Sequence, residues 1–231
     1  MKTSLRSSLA TAFSVLLFTA TYLTGQDAAV ITGLTPPIAV VDANGETVIV
    51  KEGDVIQAGW TFIPEPAASI TLTFSNGGKV IIQGGSKVTF SEIKKDVSIQ
   101  NITLVVDVGT LEASGGEDVN YTVVTPNSTV ASESGKASAF TVVASRVSDG
   151  KGLNVEVRTT RGALKVQPIG ILDGAFFVDA QESAGVTSQS DGSISVDFPV
   201  VTPSEQATPL MHNVTTSVID NVKSRLVSPF E

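Results

Sequence analysis

Residues 67–90 read AASITLTFSNGGKVIIQGGSKVTF, and the fold follows from this stretch. Ile70, Leu72 and Phe74 alternate with Thr71, Thr73 and Ser75 before Asn76-Gly77-Gly78, the pattern of a half-buried strand running into a hairpin turn. Val80 and Ile82 resume the apolar face, Gly84-Gly85 permit a second reversal, and Val88 and Phe90 open a third strand.

The same grammar extends in both directions. Upstream, Ile38 to Val41 and Thr47 to Val50 flank Asn44-Gly45 as a short hairpin, and Trp60, Phe62 and Ile63 lead to Pro64-Glu65-Pro66. Downstream, Glu92, Lys94, Lys95 and Asp96 read as a solvated loop. Ile102, Leu104, Val106 and Val108 then share one face, and Gly109 bends the strand before Leu111 and Ala113 continue it. Val119, Tyr121 and Val123 form the next strand up to Thr125-Pro126-Asn127; Phe140, Val142 and Val143 the one beyond. Leu153, Val155 and Val157 return through Gly162 to Leu164 and Val166. From Pro168 the pattern loosens, with a short strand at Phe176 and Val178 and clean alternation at Ile194, Val196, Phe198 and Val200 after Asp191-Gly192.

The expected fold is therefore all-β, an antiparallel sandwich or jelly roll, with a short β-solenoid as the alternative because strands separated by Gly corners can also coil. The expected core is Ile70, Leu72, Phe74, Val80, Ile82, Leu104, Val106, Tyr121, Val123, Phe140, Val142, Val155 and Val157. The predicted organisation is a signal peptide over 1–25, an irregular leader over 26–40, the all-β domain over 41–201, and a linker with a C-terminal tail or short helix over 202–231. Val214, Val218, Ile219, Val222 and Leu226 recur there near helical spacing.

The compartment is read at the N-terminus. Lys2 and Arg6 precede an apolar run from Leu9 to Leu23, with no charge until Asp27, the layout of a secretory signal. The run is shorter than the roughly 20 residues a membrane span needs, and no second such segment follows. Cleavage near Gly25 and a periplasmic or secreted protein with no remaining span are expected, an uncleaved anchor being the alternative. Without Lys2 and Arg6, 13 basic side chains face 23 acidic ones, so nucleic acid is an unsuitable partner.

Chemistry is sparse. There is no cysteine, which removes thiolate nucleophiles and Cys-based zinc sites, and His212, the single histidine, lies in the linker. Neither a G-x-S-x-G elbow nor a P-loop occurs. Asp191-Gly192-Ser193 and Asp149-Gly150 carry oxygens suited to calcium but read first as turns. Asn101, Asn120, Asn127 and Asn213 each stand in an Asn-x-Ser/Thr sequon, and Trp60 is either an anchor at the end of the core or a sugar-stacking platform. No catalytic, cofactor-binding or metal-ligating residue is assigned, and no cofactor.

In order and spacing the chain resembles the FecR-type periplasmic domain. Gly53-Asp54-Val55-Ile56 with Gly59 resembles the family's opening GD.I..G turn, and Ile70 to Val80 its central strand, turn and returning strand. Leu104 to Leu111 is similar to its L.L..G.L segment, Tyr121 to Pro126 to its Y.V.TP, and Val155 to Val166 to its closing V.V..G.V.V. The likeness spans Val41 to Val166 and departs at Gly135 to Val142, where the family has a GT.F.V strand. It implies the domain and supplies no catalytic residues. Signalling members carry a cytoplasmic segment and a membrane helix before the domain, whereas the export signal here begins at Met1. The function expected is thus an exported, non-enzymatic binding or scaffold module for an envelope protein or glycan. A carbohydrate-active enzyme or sugar-binding protein is the alternative, and an envelope signalling regulator ranks behind both. Mass spectrometry of the exported protein should find an N-terminus near residue 26; retention of Ser4 to Ala10 on a soluble form would contradict cleavage.

Overall fold

The computed structural model describes residues 28–147 and 150–201. Its strands are, in chain order, β1 (Ala29–Thr35), β2 (Ile38–Val41), β3 (Thr47–Val48), β4 (Val55–Ile56), β5 (Thr61–Pro64), β6 (Ser69–Phe74), β7 (Lys79–Gln83), β8 (Lys87–Asp96) and β9 (Ile99–Gly115). They continue as β10 (Val119–Val124), β11 (Ser128–Ser132), β12 (Ser138–Arg146), β13 (Leu153–Arg161), β14 (Leu164–Pro168), β15 (Phe176–Val178), β16 (Glu182–Ser188) and β17 (Ile194–Val201). No helix occurs among the described residues.

The pairings resolve into two layers that share a single strand. One layer runs β4–β1–β6–β7–β9–β12–β13–β16–β17. The other runs β3–β2–β5–β8–β9–β10–β11–β14–β15. The 17-residue β9 belongs to both: residues 99–108 lie between β8 and β10, and residues 109–115 lie between β7 and β12. The assembly is an open β-sandwich whose inner faces carry every second residue of β6, β7, β9, β10 and β12.

One pair is parallel, a departure from the expected all-antiparallel sheets. β10 runs alongside the first half of β9, from Val119 opposite Gln100 to Val124 opposite Val105. Parallel neighbours need a crossover connection, usually a helix, yet only residues 116–118 separate these strands. The crossover is the second half of β9, which returns through the opposite layer and brings the chain back to its starting level, where Gln100 N–H donates to the Asp118 carbonyl at 2.7 Å. Local coiling of the kind envisaged for a solenoid is thus confined to this one turn.

The bend at Gly109 makes the return possible. Its φ is +104°, a conformation L side chains avoid, and a Cβ there would lie 2.3 Å from Ser86 Cα. Ser86, buried against the bend, accepts the Thr110 N–H at 2.9 Å and donates to the Thr110 carbonyl at 3.2 Å, so the backbone polar groups next to the bend are satisfied without water.

Every predicted core residue is buried. The core is larger than predicted, taking in Ile31, Ile56, Phe62, Phe90, Leu111 and Leu164, each fully enclosed. A buried side chain of this size contributes about 1.5–3 kcal/mol. Phe90 meets Phe62 edge-on at 5.8 Å and Phe74 of the facing layer at 6.2 Å. Two polar clips cross between the layers. Tyr121 Oη donates to the Ser114 carbonyl at 2.8 Å, and Asn127 Nδ2 donates to the carbonyls of Val186 at 2.9 Å and Leu153 at 3.1 Å.

Three expectations need correction. The leader over 26–40 is not irregular: Ala29–Thr35 is β1, paired to β6 along its length, and Ile38 begins β2. The charged patch Glu92 to Asp96 is the end of β8, not a loop, because its side chains alternate outward while Ile93 faces the core. β16 went unpredicted, since only Ala184 and Val186 mark its inner face and Gly185 weakens the strand signal. The predicted signal segment, C-terminal helix and His212 lie outside the described residues.

Gly109→Ala should lower stability by about 3 kcal/mol or more in denaturant melts, because it adds a backbone clash to the strain of positive φ. Gly77→Ala, at φ +82° with open space around its Cβ, should cost about 1–2 kcal/mol from strain alone. Equal costs would mean the contact with Ser86 carries no weight.

Candidate interaction surface

Among the described residues the open sandwich ends on four strands of different length, and β8 adds a one-sided stretch, since β5 reaches only Val88 and Thr89 while the strand runs on beside β9 to Asp96. β3 and β4 have two residues each and β15 three, the short blunted edges soluble proteins use to avoid uncontrolled pairing. β17 has eight, and among the described residues only β16 pairs with it.

The turn before β17 sets its register. Asp191 Oδ1 accepts the Ser193 N–H at 2.8 Å, Gly192 takes φ +84°, and Gln189 N–H donates to the Ser193 carbonyl at 2.9 Å. The bond from the Ser193 N–H makes Asp191 a turn former, and the Ser193 hydrogen bonds hold its carboxyl below the usual range. Counting back from the Gln189–Ser193 bond, an antiparallel ladder alternates so that Thr187 and Ser195 are a bonded pair while Val186 and Val196 are not. The backbone groups of Ile194 and Val196 therefore point away from β16. Consistently, the Val186 carbonyl faces β13, where it also receives Asn127 Nδ2.

Side chains on this edge are apolar beyond the needs of solubility. Phe198 is 69% exposed, Val200 63% and Val201 70%, and Phe177 on the facing layer is 59% exposed. Phe198 stands edge-on to Phe176 at 5.8 Å, so the two layers meet here through rings half open to solvent rather than a sealed core. The bulge between Ser183 and Gly185 interrupts the alternation expected for Phe198 and Val200. Pro199 lies in that bulge, which leaves Ile194 to Asp197 as the regular part of the free edge.

The outer face behind the edge is a shallow groove lined by Asn154, Glu156, Gly185, Asp197, Phe198 and Val200. Its floor is low because Gly185 has no side chain; a Cβ there would stand 3.2 Å from Asp197 Oδ2. Glu156 is engaged by Arg158 at 2.7 Å, which pushes the guanidinium further toward its charged form. The Asp197 carboxylate makes no hydrogen bond or ion pair with any described residue, its backbone being laddered to Gly185.

The other sequence candidates resolve into structural roles. Trp60 is half-buried against the core, its ring 6.4 Å from Phe62, as expected of an anchor at the end of the core. Asn127 is buried with its amide spent on the interlayer clip, so its sequon is closed to modification in the folded state. Burial raises the Tyr121 hydroxyl well above its ordinary range, and its contacts are backbone carbonyls of β7 and β9. Among the described residues no three His, Asp or Glu side chains gather to hold a metal ion. Asp149 lies outside them.

No protein-family model matches the chain, and no curated protein matches it significantly. Among solved structures it is similar to two crystal structures of a "putative anti-sigma factor" from Parabacteroides distasonis, at 13% and 12% identity and a TM-score of 0.42 each. Each match covers 59% of this chain and 58% of that one, so the chain spans little more than half the length of those proteins.

Proline substitution tests the assignment of the free edge. Val196→Pro, which removes an N–H directed at solvent, should cost about 1 kcal/mol or less in denaturant melts. Val186→Pro removes an N–H directed at β13 and should cost about 3 kcal/mol or more. The reverse order would place the free backbone groups on the wrong residues.

Proposed function

We propose that this protein is a non-enzymatic binding or scaffold module of the cell envelope, and that it holds a protein partner by accepting an extended segment along β17. The observation that carries this reading is the edge of β17, regular over Ile194 to Asp197 and followed by exposed Phe198 and Val200, with no described partner; the terminal strands of the other edges have two or three residues, and the one-sided stretch of β8 from Ser91 to Asp96 carries Lys94 and Lys95. Strand addition draws its affinity from main-chain hydrogen bonds and needs no dedicated side-chain chemistry, which suits a chain with no recognisable nucleophile and base pair. The export-like N-terminus and the FecR-type succession of strands support the envelope setting.

The test compares the exported protein with its Val196→Pro variant as bait in envelope extract from the source organism, beside a glycan array. A single protein retained by the wild type and lost by the variant is expected, with no glycan product. Retention by both forms would move binding to another surface, and a glycan product on incubation would replace the module by an enzyme.

A further inference from the structure

The chemistry around β17 restricts the segment that fits it, an inference that rests on the reading of β17 as the binding edge. Natural edge strands are commonly guarded by lysine, whose charge and bulk discourage pairing. Here the regular stretch Ile194 to Asp197 carries no lysine, the bulge and Pro199 interrupt the edge only beyond it, and the local charge has the opposite sign. From Leu164 to Val201 the chain carries Asp173, Asp179, Glu182, Asp191 and Asp197 against one cation, Lys165. Two of these carboxylates are committed to their own turns, Glu182 accepting the Asp179 N–H at 2.9 Å and Asp191 the Ser193 N–H at 2.8 Å. Asp197 is on the edge strand and is not committed in this way.

Pairing geometry then sorts an incoming strand into two faces. Residues opposite Ile194 and Val196 point to the inner side, toward the half-open mouth at Phe176 and Phe198. Residues opposite Ser195 and Asp197 point to the outer side, over the groove floored by Gly185, where the Asp197 carboxylate meets them. We infer that β17 takes an extended protein segment alternating apolar residues with lysine or arginine: the apolar set fills the mouth between the layers and the cations lie against Asp197. The acidic end of the sandwich steers such a segment toward the edge, and the main chain then fixes its register.

Amide exchange of the full-length exported protein, followed by NMR, tests this with three capped ten-residue peptides alternating valine with lysine, glutamate or serine. Free protein should show Ser195 and Asp197 amides already slow and Ile194 and Val196 amides fast. The valine–lysine peptide should slow Ile194 and Val196, binding about fivefold tighter than the valine–serine peptide, with the valine–glutamate peptide weakest. High salt should erase the difference, and Asp197→Lys should reverse the order. Equal protection by all three peptides would overturn the charge selectivity while leaving the edge reading intact. Protection by none would overturn both. Slow Ile194 and Val196 amides in the free protein would also overturn the inference: if independent of concentration, the chain's own residues occupy the edge; if rising with concentration, a second copy does.

Discussion

The bend of β9 at Gly109 is the constraint on which the rest of the sandwich depends. A strand that serves two layers has to leave one sheet and enter the other without stranding its backbone polar groups, and both problems are solved within a few residues. Positive φ at Gly109 turns the chain, and the Ser86 hydroxyl takes up the Thr110 N–H and carbonyl beside the turn. Because Ser86 approaches where a Cβ would stand, the same glycine also lets the β7–β8 connection pack against the bend. The parallel pairing of β10 follows, since the returning half of β9 is its crossover.

Beyond β9 the chain grows by alternation. The β10–β11 hairpin extends one layer, β12–β13 the other, β14–β15 the first again, and β16–β17 the second. Each hairpin covers the edge left by the one before it in its own layer, and the interlayer clips through Tyr121 and Asn127 keep the two layers advancing together. Such a scheme has no intrinsic stop. Among the described residues it reaches β17, where Phe198 stands edge-on to Phe176 with both rings partly open to solvent, while Phe177, alternating with buried Val178, faces outward. The binding surface proposed here is the structural remainder of an open growth rule, with its chemistry set by Asp197 and the acidic turns around it.

How far the sequence reveals this depends on the residue. The all-β class and the core were legible because period-two alternation records burial on one face, as in Ile70 to Phe74 and Ile102 to Val106. Even the bend at Gly109 was legible as a bend. Its consequence was not: alternation says which side of a strand faces the core, but not that the same side faces it from two different sheets. β1 was obscured by Gly33 and the Pro36-Pro37 pair that follows it, and β16 by Gly185. The edge was hidden for a different reason. Ile194, Val196, Phe198 and Val200 alternate as a buried strand would, and only the ladder, in which β16 is the one described partner of β17, shows a side with no described neighbour.

If β9 is the shared element of one cooperative sandwich, the two halves of that strand must open together. Residue-resolved native-state hydrogen exchange measures this directly, since each amide reports the free energy of the smallest opening that exposes it. The account predicts that Leu104 and Val105 in the first half and Leu111 in the second exchange with the same free energy, equal to that of global unfolding, while β17 exchanges at the low end of the range. A first half that opens at lower or higher free energy than the second would mean that the layers are separate units joined by a linker at Gly109, and would contradict it.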